Sequence, residues 1–180
     1  IKDLPWWSQW AFGRTESLNW IQSIVFETAF NSWKNFLVSA PTGAGKTNIA
    51  LLTILREMKD HYTKGTDIIN MMRNPMKIIY IAPLKALAAE IVGKFSKALA
   101  YSNVRVWELT GDMNMTKQEI DETHIIVTTP EKWDVVTRKS EGMMEKVNCM
   151  IIDEIHLLND ERGVVLECLV AWALITSIKT

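Results

Sequence analysis

Apolar and polar positions along the chain follow two alternating rhythms. Short apolar runs rich in Ile and Val predict strands over 36–39, 77–82, 104–109, 124–128 and 147–153. Between them, apolar residues recur at helical spacing over 17–30, 45–60, 84–100, 116–121, 131–138 and 163–178. The first helix is expected to align Leu18, Ile21, Ile24, Val25 and Thr28 on one side, with Ser17 as its cap. The longest apolar run, Cys168 to Ile175, reads as the buried part of the last helix. Strands such as Ile78-Ile79-Tyr80-Ile81 lack a polar side, which argues for a parallel sheet covered on both faces. The stretch 61–76, holding Gly65, Asn74 and Pro75, is too long for an ordinary connection and reads as a surface excursion. Residues 1–13, with Pro5 and three tryptophans, read as an arm packed on a domain that spans 14–180.

Composition narrows the class. The chain has 180 residues, 48% apolar and 23% charged, enough for one well-packed domain and incompatible with disorder, collagen or a coiled coil. Twenty basic residues against 21 acidic ones leave a formal charge of −1, so contact with a polyanion has to come from a local patch. Cys149 and Cys168 cannot build a disulfide framework, which favours a reducing compartment, nuclear or cytoplasmic. No Cys/His cluster has zinc spacing, and no apolar run approaches the ~18 residues of a membrane span. The first residues, Ile1-Lys2-Asp3, include no initiator Met and open no signal sequence; the chain reads as a piece of a longer protein.

The strongest chemical signal is Ala40-Pro41-Thr42-Gly43-Ala44-Gly45-Lys46-Thr47, between an expected strand and an expected helix. Glycines at 43 and 45 let successive N–H groups face inward as a nest for phosphate oxygens, and the helix N-terminus adds its positive end. Lys46 supplies a cation for the β- and γ-phosphates, and the Thr47 hydroxyl suits Mg²⁺. Thr42 through Asn48 are therefore the nucleotide-binding candidates, although Ala40 stands where the strict pattern has glycine.

A second signal is Cys149-Met150-Ile151-Ile152-Asp153-Glu154-Ile155-His156, an apolar strand ending in two carboxylates. Ligands of parallel sheets bind beyond the strands' carboxyl ends, so Asp153 is expected to hold Mg²⁺ and Glu154 to orient or deprotonate the attacking water. By itself His156 carries no assignment, and His61 and His124 lack supporting neighbours.

Together these segments resemble the first two ATPase motifs of superfamily 2 helicases. Ala82-Pro83-Leu84-Lys85-Ala86-Leu87 is similar to motif Ia of that family, Thr110-Gly111-Asp112 to motif Ib, and Thr129-Pro130-Glu131-Lys132-Trp133-Asp134 to the segment that follows it. Asn19-Trp20-Ile21-Gln22-Ser23 resembles the Q-type element, which implies adenine recognition by Gln22. The wording resembles the superkiller-like DExH branch, above all its tandem-cassette members of the spliceosome and of the activating signal cointegrator complex. Trp20 and Trp172 stand where those relatives usually carry arginine, and Val164 where they carry proline. With eight tryptophans in the chain, Trp107 and Trp133 are expected to pack and the others to be partly exposed.

The resemblance implies a three-layer RecA-like P-loop lobe with a mostly parallel central sheet, binding ATP and Mg²⁺. It implies catalytic roles for Lys46, Asp153, Glu154 and His156, with His156 linking the nucleotide to the strand-binding motifs. Pro83, Leu84, Lys85, Thr110, Gly111, Thr129, Pro130 and Lys132 would then contact a nucleic-acid strand or duplex, RNA favoured over DNA, through phosphate and not base contacts. Implied partners are a second RecA-like lobe, further cassette domains and a large ribonucleoprotein or multi-subunit complex, with no membrane. No second lobe follows in these residues, so the piece alone is expected to turn over negligibly. A scaffold cassette without turnover is the first rival. A P-loop kinase or GTPase is the second, and for it the acceptor lid and guanine-reading element are missing.

Overall fold

A computed structural model describes residues 1–59, 61, 76–111, 113–139, 142–159 and 163–177. The chain divides into two units, Ile1–Asn74 with Lys97–Asn103, and Pro75–Ser96 with Val104–Thr180.

The first unit is helical. Pro5 opens a short helix α1 (Trp6–Gln9), continued by a 3₁₀ turn (Trp10–Phe12). Leu4, Trp7, Ala11 and Phe12 are buried, which anchors this segment, while the Trp10 ring meets Tyr101 edge-on at 5.8 Å. Helix α2 (Trp20–Asn31) starts two residues later than the apolar rhythm suggests, and its cap is Asn19, not Ser17. Asn19 and Gln22 form a reciprocal capping box, each side chain accepting from the other's backbone N–H. The buried side of α2 runs through Gln22, Ala29 and Phe30, leaving Ile24 59% exposed against expectation.

Helix α3 (Lys46–Lys59) packs on α2 and is buried at every residue from Ile49 to Met58. Its buried Arg56 is held from several sides: Glu57 at 2.7 Å, the Ser32 carbonyl, and the Trp33 ring 4.7 Å from the guanidinium carbon.

No strand forms at 36–39. Phe36 and Leu37 are exposed, Leu37 by 75%, and the segment takes part in no ladder among the described residues. Its composition suits a pleat, but a strand exists only where a neighbour satisfies its backbone groups. The 61–76 excursion lies outside the described residues apart from His61 and Met76.

The second unit is the α/β core. It comprises strand β1 (Ile78–Ile81), helix α4 (Lys85–Ala98), β2 (Val106–Leu109), α5 (Lys117–Glu122), β3 (Ile125–Thr128), α6 (Pro130–Lys139), β4 (Cys149–Ile152) and α7 (Gly163–Ser177). The four strands form an all-parallel sheet in the order β2-β3-β1-β4. β1 and β3 are buried at every position, as their unbroken apolar runs require. One face carries Ile79, Ile81 and Ile126 into a cluster with Leu109, Ile120, Trp133, Leu166 and Leu169.

Thr116 caps α5 with Glu119 in a second capping box. At the other end of α5, the ammonium of buried Lys77 donates to the carbonyls of Ile120, Asp121 and Thr123, where the helix runs out of its own donors. Burial pulls this ammonium down to about 8, against the opposing pull of Asp121.

Two expectations about apolar residues fail. Along α7, Leu166 and Leu169 are buried while Cys168, Trp172, Leu174 and Ile175 are exposed, because only one side of the helix meets the cluster. Trp133 is fully buried as expected, but Trp107 sits on edge strand β2 half exposed, and Trp7 is buried.

Candidate functional site

In the first unit, residues 40–48 curl as two left-handed glycines dictate. Gly43 and Gly45 have φ of 82° and 81°, a region costly for any residue with a Cβ. The turn is closed by Ala44 N–H donating to the Pro41 carbonyl at 3.2 Å and Asn48 N–H to the Gly45 carbonyl at 3.0 Å. Lys46 is the first residue of α3, and its ammonium folds back over the loop, 3.0 Å from the Ala40 carbonyl and 3.4 Å from that of Pro41. A cation thus lies against the loop at the positive end of a fourteen-residue helix. Thr47 and Asn48 are half-buried, and Thr42 and Gly43 face solvent.

The α2 capping box is wired to this loop. Asn19 Nδ2 donates to the Ala44 carbonyl at 2.9 Å, and Gln22 Nε2 to the Gly45 carbonyl at 3.2 Å. With Gln22 Oε1 accepting from Asn19 N–H at 3.0 Å, both polar atoms of the Gln22 carboxamide are engaged, and the residue is buried. One N–H and one lone pair of the carboxamide remain beyond these bonds. The sequence reading placed Asn19 in the Q-type element but gave the cap to Ser17, although Asn-x-x-Gln ahead of an apolar run is a legible capping signature. Trp20, at the first position of α2, is 77% exposed.

In the second unit, the parallel sheet puts four candidate segments at the same strand ends. β1 leads into Pro83, Leu84 and Lys85; β2 into Thr110 and Gly111; β3 into Thr129 and Pro130; β4 into Asp153 and Glu154. Pro130 is the first residue of α6, where its missing N–H costs nothing, and the Thr129 carbonyl accepts from Trp133 N–H at 3.0 Å.

Three of these segments converge at Gly111, whose φ is 55°. The Lys132 ammonium lies 3.0 Å from its carbonyl and 3.3 Å from Asn114 Oδ1, and a Cβ built on Gly111 would sit 3.4 Å from the Lys85 ammonium. Two cations beside one turn make the local positive patch that the chain's overall charge leaves out. The Thr110 hydroxyl is turned inward, donating to Glu108, and Pro83 is buried, so neither side chain is offered to solvent. Leu84 is exposed and Thr129 half-buried.

At the end of β4, Asp153 is held from three directions. Its N–H donates to the Ile81 carbonyl at 3.0 Å, its Oδ1 accepts from Glu154 N–H at 3.0 Å, and its Oδ2 accepts from the Tyr80 hydroxyl at 2.8 Å. Burial, with Asp153 beside it, raises the Tyr80 hydroxyl far above the usual phenol range, so it stays a donor. Glu154 has φ of 50°, the single non-glycine residue with positive φ among those described. A 3₁₀ turn (Ile155–Asn159) follows, in which His156 Nδ1 lies 3.2 Å from Glu154 Oε2. The imidazole is exposed and the Glu154 carboxylate is largely shielded. Sequence reading passed over Tyr80 because it looks like any other apolar strand position.

In the first unit, the loop offers backbone N–H groups, an ammonium and the Thr47 hydroxyl to a phosphate group. In the second, Asp153 is by itself a hard-oxygen donor of the kind Mg²⁺ takes.

Residues 19–174 match the family model for DEAD/DEAH box helicases. The chain is 54% identical over 176 residues to the DExH-box ATP-dependent RNA helicase DExH14 of Arabidopsis thaliana, covering 97% of the chain. It is 56% identical over 173 residues to the pre-mRNA-splicing factor brr2 of Schizosaccharomyces pombe, covering 95%. It is 57% identical over 169 residues to activating signal cointegrator 1 complex subunit 3 of Dictyostelium discoideum, covering 93%. In each case the chain spans 8% of the relative's length. These are the branch and the members that the motif wording suggested. Among solved structures, a Saccharomyces cerevisiae dbp5 variant bound to nup159, gle1, IP6 and ADP superimposes with a TM-score of 0.73 at 18% identity. The match covers 92% of this chain and 42% of that one. That likeness bears on the fold alone, and it agrees with a RecA-like α/β lobe.

Proposed function

Because the chain belongs to the DEAD/DEAH box helicase family, we propose that it is the nucleotide- and strand-binding lobe of an ATP-dependent RNA helicase that couples Mg-ATP hydrolysis to strand translocation and duplex unwinding. The observation that carries this reading is the glycine-curled loop at the head of α3, with Gly43 and Gly45 left-handed and the Lys46 ammonium folded over it. A loop of that shape has one evident use, the cradling of a polyphosphate.

In the proposed division of labour, residues 42–48 bind the phosphates, and Lys46 exchanges its loop carbonyls for β- and γ-phosphate oxygens. Asn19 and Gln22 fix the loop's shape from outside, and Gln22 faces adenine with the N–H and lone pair that its loop and cap bonds leave over. Thr47 and Asp153 would hold Mg²⁺, whose charge offsets that gathering on the phosphate oxygens during transfer. Glu154 accepts a proton from the water that attacks the γ-phosphorus, and His156, paired with it at 3.2 Å, restrains the carboxylate. Lys85, Gly111 and Lys132, with Leu84 and the α6 N-terminus at Thr129 and Pro130, take the phosphates of a single strand without reading bases. The second RecA-like lobe and further cassette domains of the full-length protein complete the motor. The similarity to a splicing factor and to a cointegrator-complex subunit supports work within a multi-subunit nuclear assembly.

The test is ATP affinity of the full-length protein. Lys46→Ala should abolish binding while the fold, read by circular dichroism, survives. Wild-type affinity in the folded variant would overturn the reading.

A further inference from the structure

We infer that Tyr80 is a positioning residue for Asp153, fixing through its hydroxyl the orientation in which that carboxylate meets the metal-nucleotide complex. The inference rests on the proposed role of Asp153 and adds a residue that no motif contains.

The placement follows from sheet register. Tyr80 pairs with Ile151 across the parallel ladder, so the two side chains share a face, and Asp153 returns to that face two residues later. The diagonal brings the Tyr80 hydroxyl to 2.8 Å from Asp153 Oδ2. The ring has little freedom: Tyr80 is 2% exposed and its ring meets Phe95 of α4 edge-on at 5.5 Å and 76°. A carboxylate at the end of a strand would otherwise rotate about its last torsion, which is broad and two-fold. Here one oxygen is held by Glu154 N–H and the other by a phenol that is itself clamped. Ligating oxygens set by outer groups in this way are the usual means of tuning a metal site. The clamp also has a direction. Phe95 stands on the helix that opens at Lys85, so one aromatic pair joins the helix carrying the motif Ia lysine to the acid at the end of β4.

Tyr80→Phe in the full-length protein removes the hydroxyl and keeps the ring contact. With ADP present, the Mn²⁺ concentration for half-saturation, followed by electron paramagnetic resonance, should rise about tenfold. Strand-stimulated kcat should fall by a similar factor with KM for ATP unchanged. In an Asp153→Asn background, the same substitution should change Mn²⁺ binding no further. Wild-type Mn²⁺ dependence in Tyr80→Phe would overturn the inference, even if the melting temperature dropped, since packing alone would explain that drop. Wild-type Mn²⁺ binding by Asp153→Asn would instead sink the underlying assignment of Asp153, and this inference with it.

Discussion

Replacing Gly45 with alanine separates two costs that the phosphate loop carries. At φ of 81° an added Cβ costs about 1–2 kcal/mol in backbone strain alone. It would also press into the Gln22 carboxamide and stand 3.2 Å from Asn19 Nδ2. Relief requires Gln22 to swing away and give up its bond to the Gly45 carbonyl, a further ~0.5–1.5 kcal/mol for a neutral hydrogen bond. Gly43 is the internal control, because its φ is the same within a degree and a Cβ there meets nothing within 4 Å. Gly43→Ala should therefore register strain only. Calorimetric titration of ADP into the full-length protein should show Gly45→Ala weaker than Gly43→Ala by roughly 3- to 10-fold. Equal affinities for the two glycine variants would refute the claim that the α2 capping box holds the loop in shape.

Two further outcomes follow from the second unit. Lys132→Ala should weaken single-stranded RNA binding by a similar factor for all sequences and reduce the salt slope by about 0.7, read from log Kd against log salt; a loss confined to particular sequences would contradict phosphate-only contact. Lys77→Met should destabilise the fold by about 1–3 kcal/mol in urea titrations, because the carbonyls of Ile120, Asp121 and Thr123 lose the ammonium that caps them. With the Lys77 ammonium pulled down to about 8 in the fold, the unfolded chain binds the extra proton above that pH. Stability should thus rise between about pH 8 and pH 10, and the rise should flatten in Lys77→Met.

What was legible in the sequence was whatever local rules decide. Four strands and six helices fall within a few residues of where apolar rhythm puts them, because a run such as Ile78–Ile81 suits only a buried strand. The same holds for the glycine pair at 43 and 45, where left-handed backbone is written into the residue type. What failed depends on partners. The 36–39 segment has strand composition but no ladder. The apolar run in α7 meets the core along one side alone, and Trp107 landed on an edge strand, an outcome fixed by sheet order. The hydrogen bonds from Asn19 to the loop and from Tyr80 to Asp153 lie across 25 and 73 residues, distances at which one sequence read locally carries no signal.

Glu154 gives the chain a way to record its own history. A side chain in left-handed backbone, φ of 50°, is kept at a standing cost of about 1–2 kcal/mol. In the proposed role, the demand for that carboxylate balances it, so a duplicated copy released from hydrolysis would drift toward glycine or asparagine there before its core changed. Surveyed across paralogous cassettes, this one position should sort working motors from retired ones.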